Sequence, residues 1–404
     1  MTIAGDPRPR WRALRANLAA AVILAALLTT IAVALSSNAG PHLDQGAVHY
    51  LGGADPSFAR YTNNRDRSYG AFLRRHMWRM VVYSPYFDNK TRWFPNAWVY
   101  DDAYAIYRGS PLPKQHPEWI LRDASGSPLY IPFACSNGTC PQYAADISNR
   151  AFRRHWIAGA RAELLHGYRG LFVDDVNMEF RVGDGQGHQV APLEPATHQP
   201  MTDEAWRGYM AQFMEQIRAA FPHTEIVHNA IWFAGSPAGK AERDIQREIR
   251  AADYINLERG VNDPGLTGGS GPFSLTSFLA YIDAVHALGK GVVLDGNVTD
   301  GRGIEYALAS YFLISAGNDL VSTGGMTPTH WWTGFDANLG DAIGARKQWQ
   351  GLLRRDFTSG IALVNEPGSL PHTVNLPTAM RDLNGRIVKS LTIPPAGGVV
   401  LKSS

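Results

Sequence analysis

From about residue 47 to residue 355, short apolar runs alternate with longer stretches whose apolar residues recur every three or four positions. The first kind predicts buried strands and the second amphipathic helices. Strands are predicted at Ala47–Leu51, Trp78–Tyr83, Ala97–Tyr100, Gly170–Val173, Glu225–Asn229, Tyr254–Glu258, Gly291–Asp295 and Leu320–Val321. Between them, Phe152–Leu165 carries Phe152, Trp156, Ile157 and Ala160 on one face. Further helices are predicted at Ala205–Phe221 (stopped by Pro222), Ala241–Ala252, Ser274–Leu288 and Tyr306–Ser315. About eight strand-plus-helix units over this length predict an α/β fold, a (β/α)8 barrel spanning residues 41–355.

The pattern changes in the tail. Ile361–Asn365, Thr373–Leu376, Arg386–Val388 and Gly398–Leu401 are short strands punctuated by Pro and Asn-Gly. They predict a small C-terminal antiparallel β-domain over residues 356–404, a sandwich packed behind the barrel. At the other end, Arg8, Arg10, Arg12 and Arg15 precede an apolar run from Leu18 to Leu35. That run is long for a signal-peptide core and adequate for a membrane span. Residues 1–40 are therefore expected to be a basic stub with a transmembrane signal anchor, with cleavage at Ser36–Ala39 as the alternative. Either way the rest of the chain lies outside the cytoplasm, membrane-anchored or secreted.

Composition narrows the partners. The chain is 45% hydrophobic and 18% charged, which is globular, and its formal net charge is +2. No basic stripe interleaved with aromatics follows the N-terminal arginines, so nucleic acid is not an expected partner. Eleven Trp fit either large core side chains or platforms for sugar rings. The two cysteines, Cys135 and Cys140, share one loop. In an oxidising compartment they are expected to form a disulfide that pins it.

The chemistry sits at strand ends. In a parallel barrel, residues at the C-terminal ends of the strands face the active site. Here Asp174 and Asp175 follow Val173, Asn229 ends its strand, Glu258 follows Leu257 and Asp295 follows Leu294. Clustered acids repel one another, so their convergence at one rim points to use. Glycosidic cleavage needs one carboxylic acid to protonate the leaving oxygen and a carboxylate to attack the anomeric carbon or activate water. Asp174 is the expected nucleophile or base, with Asp175 as the alternative. Adjacent strand residues face opposite sides, so only one of the two points into the barrel. Glu258 is the expected general acid. Asn229, Asp295, Asp102 and Glu179 are candidate substrate contacts, as are Trp232, Trp331 and Trp332 just past predicted strand ends. No cofactor or metal is expected. The expected partners are a polysaccharide or oligosaccharide and, through the N-terminal segment, the membrane.

Gly170-Leu-Phe-Val-Asp-Asp-Val-Asn177 resembles the fourth-strand motif of bacterial barrel glycosidases such as the endo-α-1,4-polygalactosaminidases. The wider layout, roughly residues 47 to 403, resembles hypothetical glycosyl hydrolase family 15. That likeness is carried by Pro117–Asp123, Ala145-Asp-Ile-Ser-Asn149 and the closing β-domain. It implies a barrel glycosidase of an extracellular or cell-envelope polysaccharide, with Asp174 as the catalytic candidate and Glu258 as the later-strand acid. The flanking loops differ from those of the polygalactosaminidases, so their substrate does not carry over.

Two other functions compete. A metal-dependent polysaccharide deacetylase also uses an Asp-Asp pair, but it needs a paired His motif, and His223 and His228 stand five apart across a strand. A non-catalytic glycan-binding barrel would keep the fold without the chemistry.

Overall fold

The computed structural model describes residues 44–52, 67–232, 242–296, 298–324, 326 and 330–404. The expected signal anchor at residues 1–40 lies outside them. Among the described residues no helix is long and apolar enough to cross a membrane. Residues Gln45–Ser404 form one compact unit.

Eight parallel strands close into a barrel: β1 (Tyr50–Gly52), β2 (Met77–Val82), β3 (Ala97–Asp102), β6 (Gly170–Asp174), β7 (Glu225–Asn229), β8 (Tyr254–Glu258), β9 (Gly291–Asp295) and β10 (Leu320–Ser322). Each pairs with its neighbour in the chain, and β10 closes on β1. A separate hairpin, β4 (Ala105–Tyr107) and β5 (Gln142–Ala144), is inserted between β3 and β6. The longer described helices are α1 (Arg67–His76), α2 (Arg150–Leu164), α3 (Asp203–Ala220), α4 (Arg243–Ala251), α5 (Leu275–Ala287) and α6 (Gly301–Ile314), with a single turn at Leu112–Gln115. The connection from β2 to β3 carries only a 3-10 turn, Asp88–Lys90, instead of a regular barrel helix.

Four of these helices begin where side chains satisfy their free amides. Asn149 accepts from the amides of Ala151 and Phe152, Thr202 from Ala205, Ser274 from Ser277 and Asp300 from Gly303. Strand residues split by parity. Leu171, Val173, Ile226, Ile255, Leu257, Val292 and Leu294 face outward into the layer beneath the helices. Leu51, Trp98, Phe172, Val227, Tyr254, Val293 and Leu320 fill the barrel interior. Gly170 is a required exception, because a Cβ there would lie 2.2 Å from the Glu225 carbonyl oxygen.

The N-terminal end of the barrel is plugged by Glu225. It accepts two hydrogen bonds from Arg79 at 2.9 Å each, one from Trp98 Nε1 at 2.8 Å and one from Arg169 at 2.8 Å. Burial pushes the Glu225 carboxyl up, but the hydrogen bonds from Arg79 and Trp98 outweigh it and hold the group below its ordinary value.

The C-terminal element is a single six-stranded antiparallel sheet, not the sandwich expected. Its order is β11 (Lys347–Trp349), β12 (Leu352–Phe357), β13 (Gly360–Asn365), β16 (Gly397–Ser403), β14 (His372–Asp382) and β15 (Ile387–Ile393). Two of its strands start ahead of residue 356. The charged alternation of Arg354, Arg355 and Asp356 hides β12 from a hydrophobic reading. Arg355 docks the sheet on the barrel: its Nη1 donates to the carbonyls of Phe312 at 3.0 Å and Ser315 at 2.8 Å, at the end of α6. Those carbonyls have no partner within the helix, and the arginine supplies one.

Candidate active site

The inward parity of each strand carries through to its C-terminal end. Phe172 faces in, so Asp174 faces in; Val227 sets Asn229, Tyr254 sets Asn256 and Glu258, and Val293 sets Asp295. The register places them side by side: Asp102 beside Asp174, Asn229 beside Asn256, Glu258 beside Asp295, and Asp295 beside Ser322. Acids and amides from four consecutive barrel strands, β6 to β9, therefore share one mouth.

Asp174 is the best-held group in it. Its Oδ1 accepts from Asn229 Nδ2 at 2.7 Å and from the Asp175 amide at 2.8 Å. Its Oδ2 accepts from the Tyr100 hydroxyl. Asn256 Nδ2 in turn donates to Asn229 Oδ1 at 2.7 Å, which fixes the Asn229 amide so that its nitrogen points at Asp174. Three donors on one carboxylate lock its rotamer. Burial first, and then the Asp174 charge, push the Tyr100 hydroxyl well up, so it stays a donor at all ordinary pH.

Several carboxyls around it are raised. Asp175 is pushed up to about 6 by burial and by the Asp174 charge, and Asp295 to about 6 by burial and by Glu258. Asp102 is only 5% exposed; burial, then Asp175, raises it well above the carboxylate range, and its Oδ1 accepts from the Tyr104 amide at 2.9 Å. A mouth with one anchored carboxylate and several carboxyls lifted towards neutrality has the divided acid and base character that glycosidic cleavage uses. Glu258 is exposed at its strand end, where it meets the charges of both Asp175 and Asp295.

Strand alternation was expected to turn one of Asp174 and Asp175 away. Asp175 instead leaves the strand in the left-handed region, at φ 55°, so alternation does not govern it. Its carboxylate accepts from Asn177 Nδ2 at 3.0 Å and stays beside the mouth. The structure brings Asp174, Asp175, Asn229, Glu258 and Asp295 together. It places the other candidates differently. Asp102 lies under the rim, bonded to backbone, and is not positioned to touch a ligand. Glu179 is exposed, beyond the strand.

The three tryptophans are spent on packing. Trp232 sits edge-on to Phe273 and Phe278 against α5. Trp331 packs on Tyr50, Phe72, His76 and Phe335 under β1. Trp332 donates from Nε1 to Asn384 of the C-terminal sheet at 2.9 Å and packs edge-on to Phe335. A position just after a strand end does not say which way a loop side chain turns. His228 faces outward, fully buried, with Nδ1 2.6 Å from Glu248 of α4. It is therefore outside the mouth that a metal-dependent deacetylase would need it to enter. Cys135 and Cys140 are joined as a disulfide.

Tyr100, Asn256 and Ser322 belong to the site and were not singled out in the sequence. Each lies two residues from an expected site residue, or beside one in register. Strict period-two reading back from Asp102 and Glu258 reaches Tyr100 and Asn256.

A family model described as hypothetical glycosyl hydrolase family 15 matches residues 86–361. No curated protein matches the chain. Among solved structures, the chain is similar to the glycoside hydrolase domain of PelA from Pseudomonas aeruginosa: 15% identity, 71% of this chain and 96% of that one covered, TM-score 0.40. It is also similar to the isomalto-dextranase of Arthrobacter globiformis T6 complexed with panose: 12% identity, coverage 89% and 73%, TM-score 0.43. A third is an alpha-amylase from Lactobacillus plantarum: 11% identity, coverage 89% and 100%, TM-score 0.45. At these identities and scores the likenesses assign no residue of this chain a role.

Proposed function

The chain belongs to hypothetical glycosyl hydrolase family 15, and on that premise we propose that it is a glycosidase of an extracytoplasmic polysaccharide, working through Asp174 and Glu258. The observation that carries this reading is the triple anchoring of Asp174 by Tyr100, Asn229 and the Asp175 amide. A carboxylate so held is aimed, as a nucleophile or general base must be. Glu258, exposed on β8, is the general acid that protonates the leaving oxygen. Asp295 and Asp175 lie beside it, each raised to about 6 with burial as the first cause. Asn229 and Asp295 also offer hydrogen bonds to sugar hydroxyls.

The N-terminal arginines and the apolar run after them support an extracytoplasmic location, anchored or secreted, and hence a cell-envelope or exported glycan as substrate. The test is release of reducing ends from cell-wall and capsular glycans by the full chain. Activity should survive a chelator and fall about 100-fold or more in Asp174→Asn and in Glu258→Gln, the loss expected for a general acid or base. An Asp174→Asn variant as active as the parent would sink the assignment.

A further inference from the structure

We propose that the mouth takes a polymeric glycan laid across it from Glu258 towards Tyr83 and Tyr107, whose exposed rings stack the sugar units beyond Asp174, so that cleavage falls within chains. The proposal rests on the reading of Asp174 and Glu258 given above, and it adds the direction and length of the bound chain.

The barrel order supplies the direction. Around the ring of eight strands, β8 and β2 stand four apart, on opposite sides of the mouth. Glu258 ends β8 and Tyr83 immediately follows β2, while β6 with Asp174 and β3 with Tyr100 lie on the arc between them. A general acid protonates the oxygen of the departing sugar, so the leaving group lies on the Glu258 side. The attacked unit sits over Asp174, and the chain that precedes it continues towards β3 and β2.

Two aromatic rings wait there. Tyr83 is 46% exposed and Tyr107 is 50% exposed. Tyr83 leans on Tyr100 with ring centroids 4.9 Å apart, and Tyr100 is bonded to Asp174, so the ring is set from the catalytic carboxylate outward. The Asp174 charge reaches Tyr83, whose hydroxyl is pushed up by burial and then by that charge. Tyr107 ends β4, which begins three residues after β3 ends at Asp102, so its hairpin stands on the same side of the mouth.

Tyr107 also stands on a stiff support. Its hairpin pairs Ala105 with Ala144, Ile106 with Tyr143 and Tyr107 with Gln142. The Arg108 amide donates to Pro141 at 2.9 Å, and the Ala145 amide to Tyr104 at 2.7 Å. The Cys135–Cys140 disulfide closes the loop just before β5. Exposed rings held rigid beside a carboxylate offer a flat apolar face with a polar rim, which suits the two-faced surface of a pyranose. A single-unit exo site would instead close this side of the attacked sugar.

The test uses the full chain carrying Asp174→Asn, run in gels cast with amylose, dextran, xylan or glycol chitin. At least one polymer should retard it. Adding Tyr83→Ala and Tyr107→Ala should raise the dissociation constant about tenfold or more, as expected for two lost stacking faces. Tyr83→Phe with Tyr107→Phe should bind as the parent does, since the rings remain. No retardation by any polymer, or equal retardation with both alanines, overturns the proposal. So does release of single sugars alone from a polymer that the wild-type chain cuts, an outcome that leaves the glycosidase reading standing. Tyrosine-dependent retardation in a wild-type chain that cuts none of the polymers would sink that reading and keep the binding track.

Discussion

Asn229 donates from Nδ2 to Asp174 Oδ1 at 2.7 Å, bridging the ends of two adjacent strands. The bond has a fixed polarity because Asn256 occupies Asn229 Oδ1 from the next strand. The Asp174 carboxylate is thus held by a relay through β7 and β8 as well as by Tyr100 on β3.

Removing either holder should reduce catalysis while leaving the fold intact. Asn229→Ala and Tyr100→Phe each take one hydrogen bond from a charged group, worth about 1.5–3 kcal/mol. If that energy goes into aiming Asp174, kcat falls by roughly 10- to 100-fold. Circular dichroism should be unchanged. An unchanged kcat in either variant would show that the bond it removes does not aim Asp174.

At the opposite end of the barrel, Glu225→Gln should destabilise without touching the chemistry. It leaves Arg79, which is largely buried, facing a neutral amide. Breaking such a pair costs about 3 kcal/mol, read as a lower urea midpoint with an unchanged slope. A Glu225→Gln chain as stable as the parent would show that the plug is solvated enough to be dispensable.

Stability should rise on mild acidification. Asp175 and Asp295 are lifted to about 6, and Glu163 and Glu305 to about 7, with burial the first cause in each. The native state binds these protons more tightly than the unfolded chain, whose carboxyls titrate near ~4. The stability they contribute is complete below that value and is lost as pH rises through 6 to 7. Melting temperature should therefore increase by roughly 1–3 °C from pH 7.5 to pH 5.5. Glu225, held low, works in the opposite sense, and its contribution is lost only as pH falls below ~4. A melting temperature that drops between pH 7.5 and 5.5 contradicts the burial of the four lifted groups.

Reduction of Cys135–Cys140 should act locally. The bridge closes a loop of sequence separation 5, exposed for most of its length. Chain entropy gives so short a loop about 2 kcal/mol, drawn mainly from the loop itself. Proteolysis within residues 133–141 should accelerate in reductant while the melting temperature of the barrel moves little. Equal cleavage rates with and without reductant would remove the structural role.

The sequence by itself determined the barrel and its acidic rim. Parallel strands buried on both faces must be runs of apolar residues, and each run here ends where the chain emerges at the mouth, so Asp174, Asn229, Glu258 and Asp295 were legible as one group. The single pair of cysteines in one loop was legible for the same local reason. Tertiary structure decided what surrounds Asp174. Tyr100 and Asn256 serve it only because the register of β3 against β6 sets Tyr100 beside Phe172, one inward position below Asp174, and that of β7 against β8 sets Asn256 beside Asn229; register belongs to the closed sheet rather than to any one strand. It also decided the fate of the tryptophans, which the loops turn into packing against α5, β1 and the C-terminal sheet. Asp175 escaped the alternation rule through one backbone angle, φ 55°, that nothing in the residue type required. Side-chain periodicity is local and can be read along the chain, whereas partners across strands and the turn of a loop are set by three-dimensional closure.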